Sequence, residues 1–166
     1  QLKLTTFKPS RLAALLCAGA MGFAVQAHAL SIDASSLTSP TWVLGTNYWA
    51  VPASNPAPAL DADDVEAKTF YSGQLASAYK AEVVPSAEEG PGKDYYSTVF
   101  ALAPTDPSKA TITWGGGLWI DCPDCFLVVK DGAANPSAYI FNLGNWDGQE
   151  VITLSNFWAG DGVTGS

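Results

Sequence analysis

The chain has 166 residues, 48% of them hydrophobic, and a formal net charge of −8. This length accommodates one domain with a single hydrophobic core. The sequence contains no basic patch, which argues against a nucleic-acid partner, because clustered Lys and Arg side chains supply most of the affinity for phosphates.

The first 29 residues have the three parts of a bacterial secretory signal peptide. Lys3, Lys8 and Arg11 form a basic start, residues 12–25 form an apolar run, and residues 27–29 (AHA) match the A-x-A site of signal peptidase. The apolar run is shorter than the ~20 residues that span a bilayer, so we do not interpret it as a membrane anchor. We therefore expect export, with signal peptidase as a transient partner and cleavage near Ala29; the alternative is a buried helix of a cytoplasmic protein.

Residues 30–166 are expected to form the mature protein, a single domain. Cleavage removes three cations, which takes the net charge from −8 to −11, and it also removes His28. The mature chain then has no His and no Arg, although His is the commonest general base and a frequent zinc ligand. We therefore expect a non-enzymatic protein that carries no cofactor and, after cleavage, no transmembrane segment.

Short apolar runs separated by Gly, Pro, Asn and Asp residues occupy most of the mature chain. The runs that we interpret as strands are residues 42–44, 48–51, 65–71, 79–84, 95–102, 111–114, 118–120, 126–129, 139–141 and 151–154. Residues 85–93 (PSAEEGPGK) are interpreted as a flexible polar loop. The pattern predicts an all-β fold, an antiparallel β-sandwich or jelly roll, preceded by the signal-peptide helix.

Two cysteines of the mature chain, Cys122 and Cys125, form a C-P-D-C motif with three competing interpretations. A local disulfide that clamps a turn is favoured, since an exported protein can form and keep one. A thioredoxin-like redox motif would need a helix after its first cysteine, whereas residues 126–129 resemble a strand. A zinc site would need two further ligands.

The mature chain contains all six tryptophans of the sequence. An exposed Trp can serve as a flat platform for a sugar ring, whereas core packing is the ordinary role of a Trp in a β protein. Trp146 is the best candidate for an exposed platform, because it lies in a predicted hairpin loop (NWDG), and Trp158 is the second candidate.

Carboxylates offer two further, weaker hypotheses. A cluster after residue 60 could supply oxygen ligands to calcium, although its spacing matches no EF-hand loop and a solvated acidic loop is the simpler interpretation. Its members are Asp61, Asp63, Asp64 and Glu66. The pairs Asp121/Asp124 and Asp147/Glu150 could act in glycoside hydrolysis if the fold placed their carboxyl groups at the required separation.

The C-terminal part of the chain, residues 110–165, resembles the β domain of secreted proteobacterial proteins that carry a PEP-CTERM sorting signal, the exosortase substrates. The resemblance rests on FLVVKDG (residues 126–132), on PSAYIFNLG (residues 136–144), on the turn with Trp146 and Gly148, and on LSNFW (residues 154–158). These motifs are structural, so they transfer no catalytic residue to this chain.

The resemblance implies a role at the cell surface or in the exopolysaccharide matrix of a Gram-negative bacterium. Such proteins end with a Pro-Glu-Pro motif, a transmembrane helix and a basic tail, and none of these occurs in this sequence. Either the domain continues beyond Ser166 or the protein lacks the anchor, and we favour continuation. The leading hypothesis is an exported, non-enzymatic surface or matrix protein, secreted or held at the outer cell surface. The alternatives are a carbohydrate-binding module that uses exposed tryptophans on exopolysaccharide or cell-surface glycans and, less favoured, a carboxylate-based glycoside hydrolase.

Overall fold

The computed structural model describes residues 29–37, 48–54, 59–83, 86–101, 108–121, 123–131, 134–144 and 146–158. Most of the regular structure in these residues is β-strand, with one short α-helix and one 3₁₀ turn. The strands are β1 (Ala29–Asp33), β2 (Tyr48–Val51), β3 (Lys80–Glu82), β4 (Ala87–Glu89), β5 (Tyr96–Ala101), β6 (Lys109–Trp114), β7 (Phe126–Lys130), β8 (Ala138–Asn142) and β9 (Val151–Ser155). The helix is α1 (Ala62–Thr69), and the 3₁₀ turn is Ala34–Ser36.

The strands pair into a four-stranded sheet of order β1-β9-β6-β5, a three-stranded sheet of order β2-β8-β7, and the separate hairpin β3-β4. The two larger sheets enclose a core, so the prediction of an all-β sandwich is confirmed. Within them every neighbouring pair is antiparallel except β1 and β9, which run parallel with Ala29 opposite Val151. A parallel pair cannot be closed by a tight hairpin, and here the whole intervening chain forms the connection.

The four-stranded sheet is buried on one face only. Along β5, Tyr96 is buried whereas Ser97, Val99 and Ala101 are exposed, as the period of two in the sequence predicts. Strands β6 and β9 continue the buried face with Ile112 and with the pair Ile152 and Leu154, which belong to the main core. The alternation of apolar and polar residues in this sheet therefore follows from one buried face and one solvent-exposed face.

The three-stranded sheet is buried on both faces, which explains the unbroken apolar run of β7. Leu127 and Val129 belong to the main core between the sheets. Phe126 and Val128 belong to a second core on the opposite face of the sheet. Helix α1 covers that opposite face through Val65, so the domain has three layers: sheet, sheet and helix.

Helix α1 replaces a predicted strand. The β-branched and aromatic side chains of residues 65–71 predict an extended segment, and this prediction is wrong. Asp61 caps the helix by accepting a hydrogen bond from the backbone N–H of Asp64 at 3.1 Å. The negative charges of the acidic residues in the first turn also stabilise the helix by interacting with the positive end of its dipole. Phe70 then ends the helix in a left-handed conformation (φ 54°). Capping and the burial of Val65 outweigh the weak β-propensity of the segment.

The segment interpreted as a flexible loop, residues 85–93, contains strand β4 and is tied to the sheet edge. Glu88 Oε1 accepts hydrogen bonds from the Tyr79 hydroxyl and from the backbone N–H of Thr98, both at 2.7 Å. Lys80 pairs with Glu82 at 2.7 Å and with Glu89 at 3.2 Å. The hairpin does not pair with β5, but its Glu88 side chain satisfies one backbone N–H on the outer edge of that strand.

Other predicted strands have mixed outcomes. Residues 48–51, 111–114, 126–129, 139–141 and 151–154 lie in strands β2, β6, β7, β8 and β9, and residues 79–84 contain β3. Residues 118–120 are not a strand; the backbone N–H of Ile120 instead donates to the Tyr96 hydroxyl at 2.7 Å. The signal-peptide helix and residues 42–44 lie outside the described residues.

Candidate functional site

A groove of about 500 Å³ opens where the two sheets end. Three pieces of chain converge there: the 3₁₀ turn after β1, the segment after β9, and the connection between β7 and β8. The residues that line the groove are Ala34, Ser35, Asn135, Pro136, Tyr139, Asn156 and Trp158.

Trp158 and Tyr139 form the aromatic part of the groove. Their ring centroids lie 5.6 Å apart with an interplanar angle of 48°. The Trp158 indole N–H donates to the carbonyl oxygen of Pro136 at 2.8 Å, which fixes one edge of the ring. Phe157, which is buried beneath both, contacts Tyr139 edge-on at 5.6 Å and Trp158 at 5.7 Å. The two groove rings are thus anchored from below and remain partly exposed.

The backbone at Trp158 is unusual for a bulky residue. Trp158 has a φ of 50° and Asn156 a φ of 57°, both in the left-handed region. Asn adopts this conformation at little cost, whereas a bulky side chain does so at a cost on the order of 1–3 kcal/mol. Residues held in this way concentrate at binding and catalytic sites, because the surrounding contacts must over-determine their conformation.

The polar wall of the groove is organised by a carboxylate behind it. Asp33 Oδ1 accepts hydrogen bonds from the Asn156 side-chain amide at 2.9 Å, from the Ser35 backbone N–H at 2.9 Å and from the Ser35 hydroxyl at 2.7 Å. These hydrogen bonds, led by that of Asn156, lower the pKa of Asp33 below its usual value. Asp33 therefore stays ionised at neutral pH and orients both polar side chains of this wall.

The two asparagines of the groove present complementary groups. Asn156 donates through Nδ2 to Asp33, so its Oδ1 is the amide atom left to accept a hydrogen bond from a bound molecule. Asn135 accepts through Oδ1 from the backbone N–H of Ala53 at 3.3 Å, so its Nδ2 is left to donate. An acceptor on one wall and a donor on another suit hydroxyl groups, which can act in both ways.

Trp146, the best sequence candidate for an exposed platform, lies in the core instead. It is only 4% exposed, packs against Tyr96 at 6.1 Å between ring centroids, and donates from its indole N–H to the Glu150 carbonyl oxygen at 2.8 Å. Asp147 Oδ1 accepts the backbone N–H groups of Gln149 and Glu150, both at 2.8 Å, and folds the loop back over the core. The prediction that Trp146 is exposed is therefore wrong, and Trp158 is the candidate that reaches a groove.

Cys125 is fully buried. Cys122 lies outside the described residues, so the pairing of Cys122 with Cys125 stays a prediction. The segment that follows is strand β7, whereas a thioredoxin-like motif would be followed by a helix.

The proposed calcium ligands have structural roles around helix α1. Asp61 caps the helix, Asp63 and Asp64 lie in its first turn, and a Glu66 carboxylate oxygen accepts the backbone N–H of Leu75. Within the described ranges, no group of three or more His, Cys, Asp or Glu side chains is placed to hold a metal ion.

Two of the carboxylates considered for hydrolysis are engaged in structural contacts. Asp124 Oδ2 accepts from the Tyr71 hydroxyl at 3.2 Å, and Asp147 Oδ1 holds the turn after Trp146 by accepting two backbone N–H groups. Asp121 and Glu150, their partners in the two sequence pairs, are not among the residues that line the groove. The hydrolase hypothesis consequently gains no geometric support here.

Most of the groove is not predictable from local sequence. Asn135 and Pro136 are predicted only as a turn, and no sequence pattern distinguishes Ser35, Tyr139 and Asn156. The usable signal is the sequence N-F-W directly after a strand, which places an Asn and a Trp together at the end of a sheet. The partners contributed by the other two chain segments are between about twenty and more than one hundred residues away, so no local pattern could reveal them.

No helix among the described residues is long and apolar enough to cross a bilayer. Comparison with protein families, with curated proteins and with solved structures gave no match.

Proposed function

We propose that this protein is an exported, non-enzymatic protein of the cell surface or extracellular matrix that binds carbohydrate in the groove at Trp158. The observation that carries the proposal is the combination of two anchored, partly exposed rings with a hydroxyl and two amides in one groove. Sugar rings have apolar C–H faces that stack on aromatic rings, and hydroxyl edges that pair with amide and hydroxyl groups.

The location outside the cytoplasm is supported by the sequence. Residues 1–29 have the order of a signal peptide, and the resemblance to exosortase substrates points to the exopolysaccharide matrix. A carbohydrate ligand would suit that compartment, because glycans are its main polymer. The absence of His and Arg after Ala29 supports a binding role over a catalytic one.

The test compares the groove tryptophan with a matched tryptophan elsewhere. Residues 30–166 and the variants Trp158→Ala and Trp119→Ala would be screened on a glycan array, and the strongest glycan would be titrated by calorimetry. We expect Trp158→Ala to weaken binding about tenfold or more, which corresponds to about 1.4 kcal/mol of lost aromatic contact.

Trp119 is the matched control, because it is also a partly buried Trp that packs against the main core and is not among the groove residues. Trp119→Ala should leave glycan affinity within about twofold while costing stability through lost packing. The proposal fails if the unmodified protein binds no glycan on the array, or if Trp158→Ala binds as well as the unmodified protein while remaining folded.

A further inference from the structure

None of the seven residues that line the groove carries a charge. Its polar side-chain groups are the hydroxyls of Ser35 and Tyr139 and the amides of Asn135 and Asn156. A site for an anionic sugar ordinarily supplies Arg or Lys to the carboxylate or sulfate, because charge-assisted hydrogen bonds compensate the loss of hydration. The lining residues that the structure describes supply no such group.

The charge nearest to the polar wall is negative. Asp33 contacts both Ser35 and Asn156 and is held ionised by the hydrogen bonds that it accepts from them. The cation in its surroundings is Lys109, whose positive charge also favours the ionised form of Asp33. Lys109 is exposed on β6 of the four-stranded sheet and does not line the groove.

The segment that leads into the opposite wall carries one charge of each sign, Lys130 at the end of β7 and Asp131 after it. The connection between β7 and β8, which carries Asn135 and Pro136, begins with Asp131. The backbone N–H of Asp131 donates to the Ser137 carbonyl oxygen at 2.9 Å, and its own carbonyl oxygen accepts from Ala134 at 3.4 Å, so Asp131 is held within this connection. Residues 30–166 carry a net charge of −11 (−8 minus 3), which adds a general negative potential to that of Asp33.

The groove offers a donor, Asn135 Nδ2, that serves neutral and charged ligands alike, and an acceptor, Asn156 Oδ1, that favours a neutral ligand. Asn156 offers an acceptor, Oδ1, on the same amide whose Nδ2 donates one hydrogen bond to Asp33. A sugar hydroxyl can donate to that oxygen, whereas an ionised carboxylate or sulfate has only acceptors and would face it without a proton. Specificity gained by an unfavourable contact with the wrong ligand is a common design in binding sites.

We infer that the groove selects neutral glycans and discriminates against glycans that carry uronate or sulfate groups, with Asp33 as the source of the discrimination. This inference rests on the proposed function, because it specifies the class of ligand for the same groove. Asp33 acts here as a positioning and field-setting residue, since it lies behind Ser35 and Asn156 and is not itself a lining residue.

The first experiment uses matched glycans that differ only in charge. An array would carry neutral glucan, galactan, mannan and xylan oligosaccharides, each beside a counterpart oxidised to the uronate or sulfated on the same backbone. We expect at least one neutral oligosaccharide to bind, and its charged counterpart to bind about fivefold more weakly or worse at low salt. The difference should shrink at about 1 M salt, where the screening length falls to about 3 Å.

The second experiment removes the charge and keeps the shape. Asp33→Asn retains an Oδ1 acceptor for Ser35 and Asn156, so we expect a folded protein. Because Asp33 also positions this wall, the readout is the ratio of the neutral to the charged affinity within each protein and not the neutral affinity alone. The discrimination of the variant against the charged counterpart should fall by about threefold at low salt. Thermal unfolding would confirm that the variant is folded.

Asp94→Asn is the matched control. Asp94 is exposed in the turn before β5, and the strand order places that turn at the opposite end of the four-stranded sheet from the groove. The same change of net charge there should leave the discrimination unaltered.

The outcomes separate the two ideas. Binding of neutral and charged counterparts with equal affinity, or preference for the charged form, overturns the inference while the groove remains a glycan site. Unchanged discrimination in Asp33→Asn overturns the role of Asp33. Failure of every glycan to bind the unmodified protein overturns the proposed function itself.

Discussion

At the scale of single residues, Tyr96 shows how one polar atom links separate parts of the fold. Its hydroxyl donates to the Gly148 carbonyl oxygen at 2.6 Å and accepts from the Ile120 backbone N–H at 2.7 Å. The side chain is buried, and burial raises the pKa of Tyr96 to about 12. A buried hydroxyl with both partners satisfied stabilises the native state, and loss of one partner leaves a buried polar group unpaired.

The raised pKa of Tyr96 predicts a loss of stability in alkali. In the unfolded chain this tyrosine ionises near the ordinary tyrosine pKa of 10.0, whereas in the folded protein it retains its proton to about 12. The contribution is therefore fully present below about pH 10 and is lost as pH rises toward 12, by about 1.4 kcal/mol at about pH 11. Urea unfolding from about pH 9 to about pH 11 would measure this decline.

Tyr96→Phe is the variant that isolates this effect. It should be less stable by about 1–3 kcal/mol at neutral pH, because Gly148 and Ile120 lose their partner. Its stability should decline less steeply with pH than that of the unmodified protein, because the contribution of Tyr96 is gone. Some decline should remain, since Tyr79, whose pKa is also raised by burial, titrates in both proteins. Parallel declines in the two proteins would contradict the assignment to Tyr96.

At the scale of elements, helix α1 stabilises the three-stranded sheet by covering one of its faces. Val65 is the buried side chain of the helix, and it packs with Leu60, Leu75 and strand residues such as Ile140 in the second core. A helix of eight residues is not stable alone, so tertiary contacts and capping together maintain it. Loss of the cap would therefore destabilise the helix and expose the face of the three-stranded sheet that it covers.

We predict that Asp61→Ala destabilises the domain by about 1 kcal/mol, because the backbone N–H of Asp64 loses its capping acceptor. Asp61→Ser should retain most of the stability, since a Ser hydroxyl can cap the same N–H. Chemical unfolding would measure both variants, and hydrogen exchange would localise the change to residues 62–69. Equal destabilisation by Ala and Ser would point to charge rather than capping as the cause.

At the scale of the whole molecule, the parallel pairing of β1 with β9 connects the predicted cleavage site to the fold. Ala29, the last residue of the predicted signal peptide, is the first residue of β1 and lies opposite Val151. Cleavage after Ala29 leaves Leu30 to Asp33 available to complete the sheet edge and to hold Asp33 beside the groove. The predicted cleavage site and the residue behind the groove therefore lie on the same strand.

Expression of the chain with its first 29 residues in a Gram-negative host tests export directly. We expect a periplasmic product that begins at Leu30 and whose mass is about 2 Da below that of the reduced form, since disulfide formation removes two hydrogens. Ala27→Arg should block processing by disrupting the A-x-A site. An unprocessed cytosolic product with Cys122 and Cys125 both alkylated would contradict the prediction.

Reduction of that disulfide should have a modest effect on stability. The predicted Cys122–Cys125 loop is so short that its closure is expected to contribute about 2 kcal/mol or less. Thermal unfolding with and without a reducing agent would measure this contribution in the processed product. Complete unfolding on reduction would show that the bond does more than hold a local turn.

The sequence alone determined the class of the fold, because strand periodicity and turn residues are local properties. The alternation of Tyr96 with Ser97, and the apolar run at β7, each report the burial of the faces of one strand. Helix α1 was not predicted because eight residues are too few to show a helical periodicity. The Asp61 cap, which stabilises the first turn, was not recognised in the sequence. Strand β4 was missed, whereas β3 lies within the predicted strand 79–84, because β4 is held by Glu88, which bonds to a distant strand edge.

Only the tertiary structure decided which tryptophan lies at a site. Trp146 and Trp158 both follow turn or strand-end signals, yet the turn of Asp147 directs one into the core, and the contacts of Pro136 and Tyr139 hold the other at the groove. The groove unites chain segments as far apart as Asp33 and Asn156. Such a site is created by strand pairing over long sequence distances, and the local sequence does not encode the result in any single pattern.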